Sequence, residues 1–348
     1  MHRNIAAMVL TALSLLAVAC QKPAAPKPPP AEHQLSGAGA TFPAPIYSQW
    51  ARGYLGGTGV QVNYQALGSG AGIRQITSGT IDFGGSDKPL TAEQLDAAGL
   101  TQFPTVIGGV VPVVNAPGIG PGQLRLDGPL LADIFAGKVT MWTDPRIVAL
   151  NPGLTLPRLP ITVVHRSEGS GSSFLFTAYL AKVSPAWKAG PGVGDSIAWP
   201  TGLGGKGNDG VSAFVRQTLG SIGYVEYAYA TRNHFAYVLL KNHDGRFVAP
   251  TGAAFAAAAA GADWAKAPGF YLLLLDQPGE GSWPITGATF ILIRKDAPLA
   301  TRQAVEHFFN WAYDVGDGEA TKLGYVPLPA SVKALVVSSW VTSWGAKP

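Results

Sequence analysis

The chain has 348 residues, of which 47% are hydrophobic and 13% charged, so it can fold as one large domain or two smaller ones and is not intrinsically disordered. Its formal net charge is +4, but outside the first 34 residues the excess is only two positive charges. Because no Lys- and Arg-rich run with interleaved aromatics occurs, the charge argues against nucleic-acid binding. The single cysteine, Cys20, excludes an internal disulfide and a zinc site with several thiolates.

The first twenty residues have the pattern of an export signal. A basic start precedes an apolar stretch over residues 5–19 that ends in Ala17, Val18 and Ala19, which predicts a signal peptide over residues 1–19. The alternative is a membrane anchor, for which the stretch is short. Cys20 follows directly, as in bacterial lipoprotein signals, and we predict lipidation there. The alternative is ordinary cleavage that leaves a free thiol.

Residues 20–34 combine this lipidation site with a Pro-rich linker. The sequence QKPAAPKPPPAEH favours extended polyproline II and works as a semi-rigid spacer. A lipid anchor followed by such a spacer would hold the folded part off a membrane. We therefore expect an exported protein that is tethered to a membrane through Cys20.

The remaining residues alternate between strand-like and helix-like patterns. Thr91 and Gln94 form a capping box for one helix, and Val211, Phe214 and Val215 are expected to face inward on another. The alternation predicts an α/β fold with mostly parallel sheets. Strands are predicted at residues 60–67, 80–86, 103–115, 161–166 and 289–294, and helices at residues 70–79, 90–99, 172–182, 207–220, 253–260 and 301–316.

Three segments share one design, in which a strand ends, a turn rich in Gly, Ser or Thr follows, and a helix begins. They are residues 36–45, 67–76 and 165–174. Each offers free backbone N–H groups and a hydroxyl at a helix N-terminus, where the helix dipole favours an anion. Taken singly, each hydroxyl can simply cap its own helix. Three such turns in one chain favour a shared anion site, although the sequence does not show that they converge.

Three charged residues near these turns sharpen the anion hypothesis. The guanidinium of Arg166 can bond two oxygens of a tetrahedral oxyanion, and Glu168 could hold it in place; the alternative is a surface ion pair. Asp87 would repel an anion unless it accepts a hydrogen bond from it. Phosphate at neutral pH still carries a proton and sulfate does not, so Asp87 would select phosphate. The alternative is that Asp87 only turns the chain before Pro89.

Motifs for other chemistries are weak or missing from the sequence. Residues 202–207 match GxGxxG by letter but follow no clear strand, which argues against a dinucleotide site. The sequence contains no GxxxxGK[ST], HExxH or GxSxG motif. We therefore expect no cofactor, no metal and no catalytic residues.

Eight stretches of the sequence carry a family resemblance. They include GAGATFPAPIY at residues 37–47, DFGGSDKPL at residues 82–90 and EGSGSSFLFTAYLAKV at residues 168–183. The others are residues 63–76, 103–111, 204–215, 222–230 and 283–293. In these stretches, which follow the family's order, the chain closely resembles the phosphate-binding proteins of bacterial phosphate ABC transporters.

This resemblance implies a two-domain periplasmic binding protein of the type II-like α/β class. Each domain would be a mostly parallel sheet flanked by helices, with the ligand in the cleft between the domains. Domain I would comprise residues 35–112 and 286–348, and domain II residues 113–285.

The resemblance also implies which residues hold phosphate. Glu168, where the family commonly has Asp, would support Arg166, and Ser172 stands where the family often has Thr. Both departures leave the affinity and the rejection of arsenate open. The ligands implied by position are Thr41, Phe42, Ser69 and Asp87 from domain I and Arg166, Ser170, Gly171 and Ser172 from domain II.

The expected function is therefore that of a receptor and not of an enzyme. The protein would capture inorganic phosphate as a monomer and deliver it to ABC permease subunits in the inner membrane, without a cofactor. The alternatives are a receptor for another tetrahedral oxyanion, a secreted phosphatase on the same fold, or a surface or adhesion role.

Overall fold

The computed structural model describes residues 34–344, so the predicted signal peptide, the lipidation site at Cys20 and most of the Pro-rich linker lie outside the described residues. Among the helices of this range, none combines the length and apolar character needed to cross a membrane. The strands are β1 Gln34–Gly39, β2 Gln61–Ala66, β3 Phe83–Ser86, β4 Leu100–Asn115, β5 Arg125–Leu126, β6 Thr162–Arg166, β7 Leu203–Gly205, β8 Ser221–Glu226, β9 Ala236–Tyr237, β10 Leu239–Lys241, β11 Phe247–Val248, β12 Thr286–Arg294 and β13 Val326–Pro327.

The helices follow most of these strands. Two short 3₁₀ turns, Trp264–Lys266 and Pro268–Phe270, precede β12. The α-helices are α1 Ala44–Thr58, α2 Ser69–Thr77, α3 Ala92–Ala98, α4 Gly128–Phe135, α5 Pro145–Leu150, α6 Gly171–Val183, α7 Pro185–Ala189, α8 Gly207–Gln217, α9 Tyr227–Arg232, α10 Gly252–Ala259, α11 Leu299–Val315, α12 Asp317–Lys322 and α13 Ala330–Trp344.

One long strand, β4, organises the sheet into two lobes. The strand order is β2-β1-β3-β12-β4-β8-β6-β7, and β9 and β13 also pair with β4. Residues 100–109 of β4 pair with β12, whereas residues 110–115 pair with β8. We call β1–β3, β12, β13 and helices α1–α3 and α11–α13 the first lobe. The second lobe comprises β6–β9 and helices α4–α9, and β5, β10 and β11 form a separate small sheet.

The α/β class is confirmed, but the expectation of mostly parallel sheets needs correction at the centre. Strands β1, β2 and β3 are parallel, and so are β6, β7 and β8. In contrast, β4 runs antiparallel to β8, β9, β12 and β13, and β12 also runs antiparallel to β3. The apolar sequence of β4 indicates that both faces of the strand are buried. Burial does not depend on the direction of the neighbouring strands, so the sequence did not distinguish parallel from antiparallel pairing.

The structure contains most of the local features that the sequence predicts for helices α3 and α8. The capping box exists as predicted, with Thr91 Oγ1 accepting from the Gln94 N–H and the Gln94 side chain accepting from the Thr91 N–H. In α8, Val211 and Val215 are fully buried, but Phe214 is 37% exposed and does not face inward. At 3.6 residues per turn, Phe214 lies about 60° from Val211, at the edge of the buried stripe.

Candidate functional site

The three predicted strand–turn–helix junctions converge. They are β1 to α1, β2 to α2, and β6 to α6. Within the first lobe, the N–H groups of Leu67 and Gly68 both donate to the Gly39 carbonyl, at 2.9 and 2.8 Å. Between the lobes, the Gly70 N–H donates to the Gly169 carbonyl at 2.9 Å. The carboxyl ends of strands from both lobes therefore meet at one place, which the sequence did not show.

Ser69 joins the second and third junctions. The sequence places it at a helix cap, but the cap residue is Gly68, with φ +97°, and Ser69 is the first residue of α2. Its buried Oγ accepts from the Asp87 N–H at 3.2 Å and from the Gly171 N–H at 3.0 Å. Ser69 therefore connects the two lobes instead of capping its own helix.

Gly171 allows this close approach. A Cβ at residue 171 would come within 2.6 Å of both the Asp87 Cβ and the Ser69 Oγ. These distances are far shorter than van der Waals contact, so the first turn of α6 can reach the first lobe only because residue 171 has no side chain.

Asp87 lies directly after β3 and is 1% exposed. Its Oδ1 accepts a hydrogen bond from Thr289 Oγ1 at 2.7 Å. Burial raises the pKa of Asp87 to about 7, against the opposing effects of the Thr289 bond, the Arg166 charge and Ser69. The carboxyl can therefore gain or lose a proton near neutral pH, where phosphate does the same.

Arg166 is a buried cation with an unused donor group. Its side chain is 1% exposed, so the alternative of a surface ion pair does not apply. Its Nε donates to Glu168 Oε1 at 2.9 Å, and Nη2 contacts the same oxygen. The buried Nη1 has no hydrogen-bond partner among the described residues. Since an unpaired buried donor is costly, Arg166 is suited to an anionic ligand.

Glu168 also holds the second lobe together around Arg166. Its Oε1 accepts from the Gly207 N–H at 3.1 Å, which links the β6–α6 turn to the start of α8. Glu168 therefore contacts Arg166 through one oxygen only, and its buried Oε2 has no partner in residues 34–344.

The N-terminus of α6 presents two serines of different character. Ser170 caps the helix, because its Oγ accepts from the Ser173 N–H at 3.1 Å. That bond leaves the Ser170 hydroxyl hydrogen free to be donated. Ser172 is fully buried, and its Oγ has no partner in the described part of the chain.

The first junction contributes Thr41 and Phe42, both buried between β1 and α1. No described atom accepts from their N–H groups. Thr41 Oγ1 lies 2.8 Å from the donor Asn208 Nδ2, and the Thr41 carbonyl accepts from the Tyr229 hydroxyl at 3.0 Å. Both partners belong to the second lobe.

Sequence reasoning missed Asn208, Tyr229 and Thr289, which surround the predicted site. Asn208 is the second residue of α8 and lies inside one of the resemblance stretches, where it could be taken for a capping residue. Thr289 directly precedes the apolar residues 290–293 of β12, and Tyr229 lies in a short helix. Only the hydroxyl at the start of that apolar run could have been noticed in the sequence.

The predicted residues thus form one site with a defined chemistry. Both lobes contribute hydroxyls and backbone N–H groups, and the site holds the cation of Arg166, which is bonded to Glu168, and the carboxyl of Asp87. Within residues 34–344, no group of three His, Cys, Asp or Glu side chains could hold a metal ion. A set of donors with one cation and one carboxyl that can accept a proton is chemically suited to a protonated tetrahedral oxyanion.

Comparison with known proteins agrees with this chemistry. The family described as PBP superfamily domain matches residues 24–315. The phosphate-binding protein PstS of Xylella fastidiosa is 51% identical over 91% of this chain and 88% of its own length. The PstS protein of Pasteurella multocida is 53% identical over 88% of this chain and 90% of its own.

A solved structure agrees in fold. The crystal structure of a phosphate-binding protein from Stenotrophomonas maltophilia matches with a TM-score of 0.69 and 21% identity, covering 87% of this chain and 93% of that one. At this identity the likeness concerns the architecture alone. On the strength of its close relatives and of the family match over most of its length, the chain belongs to the PstS phosphate-binding proteins of the PBP superfamily.

Proposed function

We propose that this protein captures inorganic phosphate outside the cytoplasm and delivers it to an ABC permease for import. The observation that carries this proposal is the combination of two buried groups in one site. Arg166 has an unused N–H donor group, and Asp87 has a pKa of about 7. Phosphate can accept from the first and donate to the second, whereas sulfate at neutral pH cannot donate.

We further propose a role for each group of site residues in binding phosphate. Thr41 and Phe42 would donate through backbone N–H groups, and hydroxyls would donate from both lobes. The Gly171 N–H, which donates to Ser69 Oγ, would exchange that acceptor for a phosphate oxygen. Glu168 would position Arg166. The proposed ligands are Thr41, Phe42, Ser69, Asp87, Arg166, Ser170, Gly171 and Ser172.

The proposed domains are residues 35–112 with 286–348, and residues 113–285. The pairing of β4 supports this division, since the partner of β4 changes from β12 to β8 at Val110. The Val110 N–H donates to the Ile285 carbonyl at 2.9 Å. The two places where the chain passes from one proposed domain to the other therefore lie close together. Such an arrangement suits a hinge, and closure about it would bury the anion and exclude water.

Location and partners are also part of the proposal. The predicted signal peptide and Cys20 support a periplasmic lipoprotein. We further propose that the protein works as a monomer beside its permease, as a receptor and not as an enzyme. Replacing Cys20 with Ser in the full chain tests the tether. We expect the protein to move from the membrane fraction to the periplasmic fraction; an unchanged distribution would contradict lipidation.

Titration calorimetry on phosphate-stripped protein tests the ligand. We expect tight one-to-one binding of phosphate and no heat with sulfate at pH 8. Arg166→Gln should weaken phosphate binding by about 100-fold or more, because within residues 34–344 Arg166 is the one buried cation that can attract the anion. Arg146→Gln is the control, since Arg146 lies on the surface and pairs with Asp144.

The same preparation distinguishes the alternatives. Sulfate binding as tight as phosphate binding would indicate a general oxyanion receptor. Turnover of a chromogenic phosphate ester that Ser170→Ala abolishes would indicate a phosphatase. If the protein bound neither anion and did not hydrolyse the ester, the receptor proposal as a whole would be contradicted.

A further inference from the structure

Asn208 is a fully buried side chain in the first turn of α8 and is not one of the proposed phosphate ligands. Its amide lies between the lobes. It contacts Thr41 of the first lobe and the backbone of Glu226 in the second. Both contacts are hydrogen bonds, so the amide connects a proposed phosphate ligand to the opposite lobe.

The orientation of this amide follows from its partner in the second lobe. The Glu226 N–H can only donate, and the atom 2.9 Å from it must therefore be the acceptor, Oδ1. The amide nitrogen Nδ2 is then the atom that lies 2.8 Å from Thr41 Oγ1. A backbone group thus decides that Asn208 presents a donor, not an acceptor, to Thr41.

This donor determines what the Thr41 hydroxyl can do. Thr41 Oγ1 accepts from Asn208 Nδ2 and, at 3.4 Å, from the Asn208 N–H. A hydroxyl has two lone pairs and one hydrogen, and both lone pairs face donors. Its hydrogen has no acceptor among the described residues. The hydroxyl is therefore left with one role, which is to donate to a ligand that accepts.

We propose that Asn208 is a positioning residue that makes the Thr41 hydroxyl a dedicated donor to bound phosphate. Asn208 belongs to the second lobe and Thr41 to the first, so the donor is fully oriented only when the lobes meet. Part of the affinity for phosphate is thereby linked to closure. This inference rests on the proposed function, because it requires phosphate to be the acceptor.

The geometry makes Asn208 and Thr41 energetically coupled, which a double-mutant cycle measures. We would compare the phosphate affinity of the wild type, Asn208→Ala, Thr41→Val and the double variant by titration calorimetry. Each single change should weaken binding by about 10- to 100-fold, as for loss of one hydrogen bond to a charged group. The double variant should bind within about twofold of the weaker single variant, since both changes remove the same hydrogen bond to phosphate.

A conservative variant separates positioning from packing. Thr41→Ser keeps the hydroxyl, so in that background Asn208→Ala should again weaken binding by the full amount. In the Thr41→Val background it should have almost no effect. A purely structural role for Asn208 would give the same loss in both backgrounds. Ser212→Ala is the matched control, because Ser212 is buried on the same helix and its Oγ has no partner in the described residues.

If Asn208→Ala fails to fold, Asn208→Leu takes its place. Leucine fills the buried position without adding a charge, and it has no hydrogen to donate to Thr41 Oγ1. We expect phosphate binding to weaken by about 10- to 100-fold, and an affinity equal to that of the wild type would overturn the positioning role.

The outcomes are distinct from those for the proposed function. A wild-type protein that binds no phosphate would overturn both proposals. A wild type that binds tightly, with Asn208→Ala equally tight or with additive losses in the cycle, would overturn the positioning role alone.

Discussion

Thr289 donates a hydrogen bond of 2.7 Å to Oδ1 of Asp87, and the two residues lie on neighbouring antiparallel segments of the first lobe. The bond orients the carboxyl group. It also assigns Oδ1 as an acceptor, so a proton on Asp87 resides on Oδ2. In the proposed site, ionisation of this one carboxyl would decide whether Asp87 accepts a hydrogen bond from an anion or donates one to it.

Sulfate binding should therefore depend on pH. Burial raises the pKa of Asp87 to about 7, so above that pH the ionised carboxylate repels sulfate. At lower pH the protonated carboxyl can donate to a sulfate oxygen. Apparent sulfate affinity should rise about tenfold per unit as the pH falls from about 9 to about 7, and level off below. Titrations at several pH values check this, and a flat profile would contradict the role of Asp87.

Asp87→Asn should remove that pH dependence. The amide has the shape of the carboxyl group and can donate to sulfate at any pH. We expect measurable sulfate binding at pH 8 and a phosphate affinity reduced by about tenfold or more, because the ligand proton loses a charged acceptor. Persistent rejection of sulfate at pH 8 would mean that another group provides the discrimination.

Gly171→Ala should block contact between the lobes at the site. The added Cβ would lie 2.6 Å from the Asp87 Cβ, a clash that only separation of the lobes relieves. Phosphate affinity should fall by at least about tenfold, while alanine suits the first turn of α6 and should preserve the unfolding temperature. Gly57→Ala in α1 is the control, because no atom lies within 4 Å of its new Cβ. Equal affinities for the two variants would argue against close contact.

Glu226 should be a neutral acid in the folded protein. The Tyr325 hydroxyl lies 2.6 Å from the Phe42 carbonyl and 3.0 Å from Glu226 Oε2, but it has only one hydrogen. A proton on Glu226 satisfies the second contact. Burial raises the pKa of Glu226 well above its usual range. The protonated carboxyl therefore contributes its full stabilisation at low pH, and this contribution is lost as the pH rises above the pKa that Glu226 has in the unfolded state.

Glu226→Gln tests this assignment through stability. Glu226 Oε2 also accepts from the Ala228 N–H at 2.9 Å. At pH 5 the variant should be less stable than the wild type by about 1 kcal/mol, because no single atom of the amide can both accept from Ala228 and donate to Tyr325. The difference should shrink as the pH rises, since glutamine does not ionise. Thermal unfolding from pH 5 to pH 9 measures it. A difference that grows with pH would indicate a carboxylate that is stabilised in the folded state.

Lys88 and Asp195 form an ion pair of 3.3 Å across the lobes, and both side chains are 26% exposed. A pair that is still partly open to solvent contributes little, so Asp195→Asn should weaken phosphate binding by less than about fivefold. Because salt screens exposed charges, the difference from the wild type should vanish at about 1 M salt. Lys295→Gln, which breaks a surface pair with Asp96 inside the first lobe, should leave binding unchanged. A large loss that persists in salt would assign Asp195 a direct role.

Much of this protein could be predicted from the order of its residues. Glycines and hydroxyls at three strand ends indicated an anion site, and the chemistry of Asp87 and Arg166 indicated which anion. These signals are local, since a helix cap or a strand pattern depends on residues a few positions apart. The α/β class followed from them, and so did the capping box at Thr91.

The tertiary structure decided which groups meet. Thr289 reaches Asp87 across 202 positions of the chain, and Asn208 reaches Thr41 across 167. Neither residue has a local pattern that reveals its partner, because a single buried hydroxyl or amide is compatible with many surroundings. The antiparallel centre of the sheet was equally hidden, since burial sets the apolar pattern of β4 whichever way its neighbours run. Long-range contacts of this kind arise from packing, and only packing determines which side chain completes the hydrogen bonds of another.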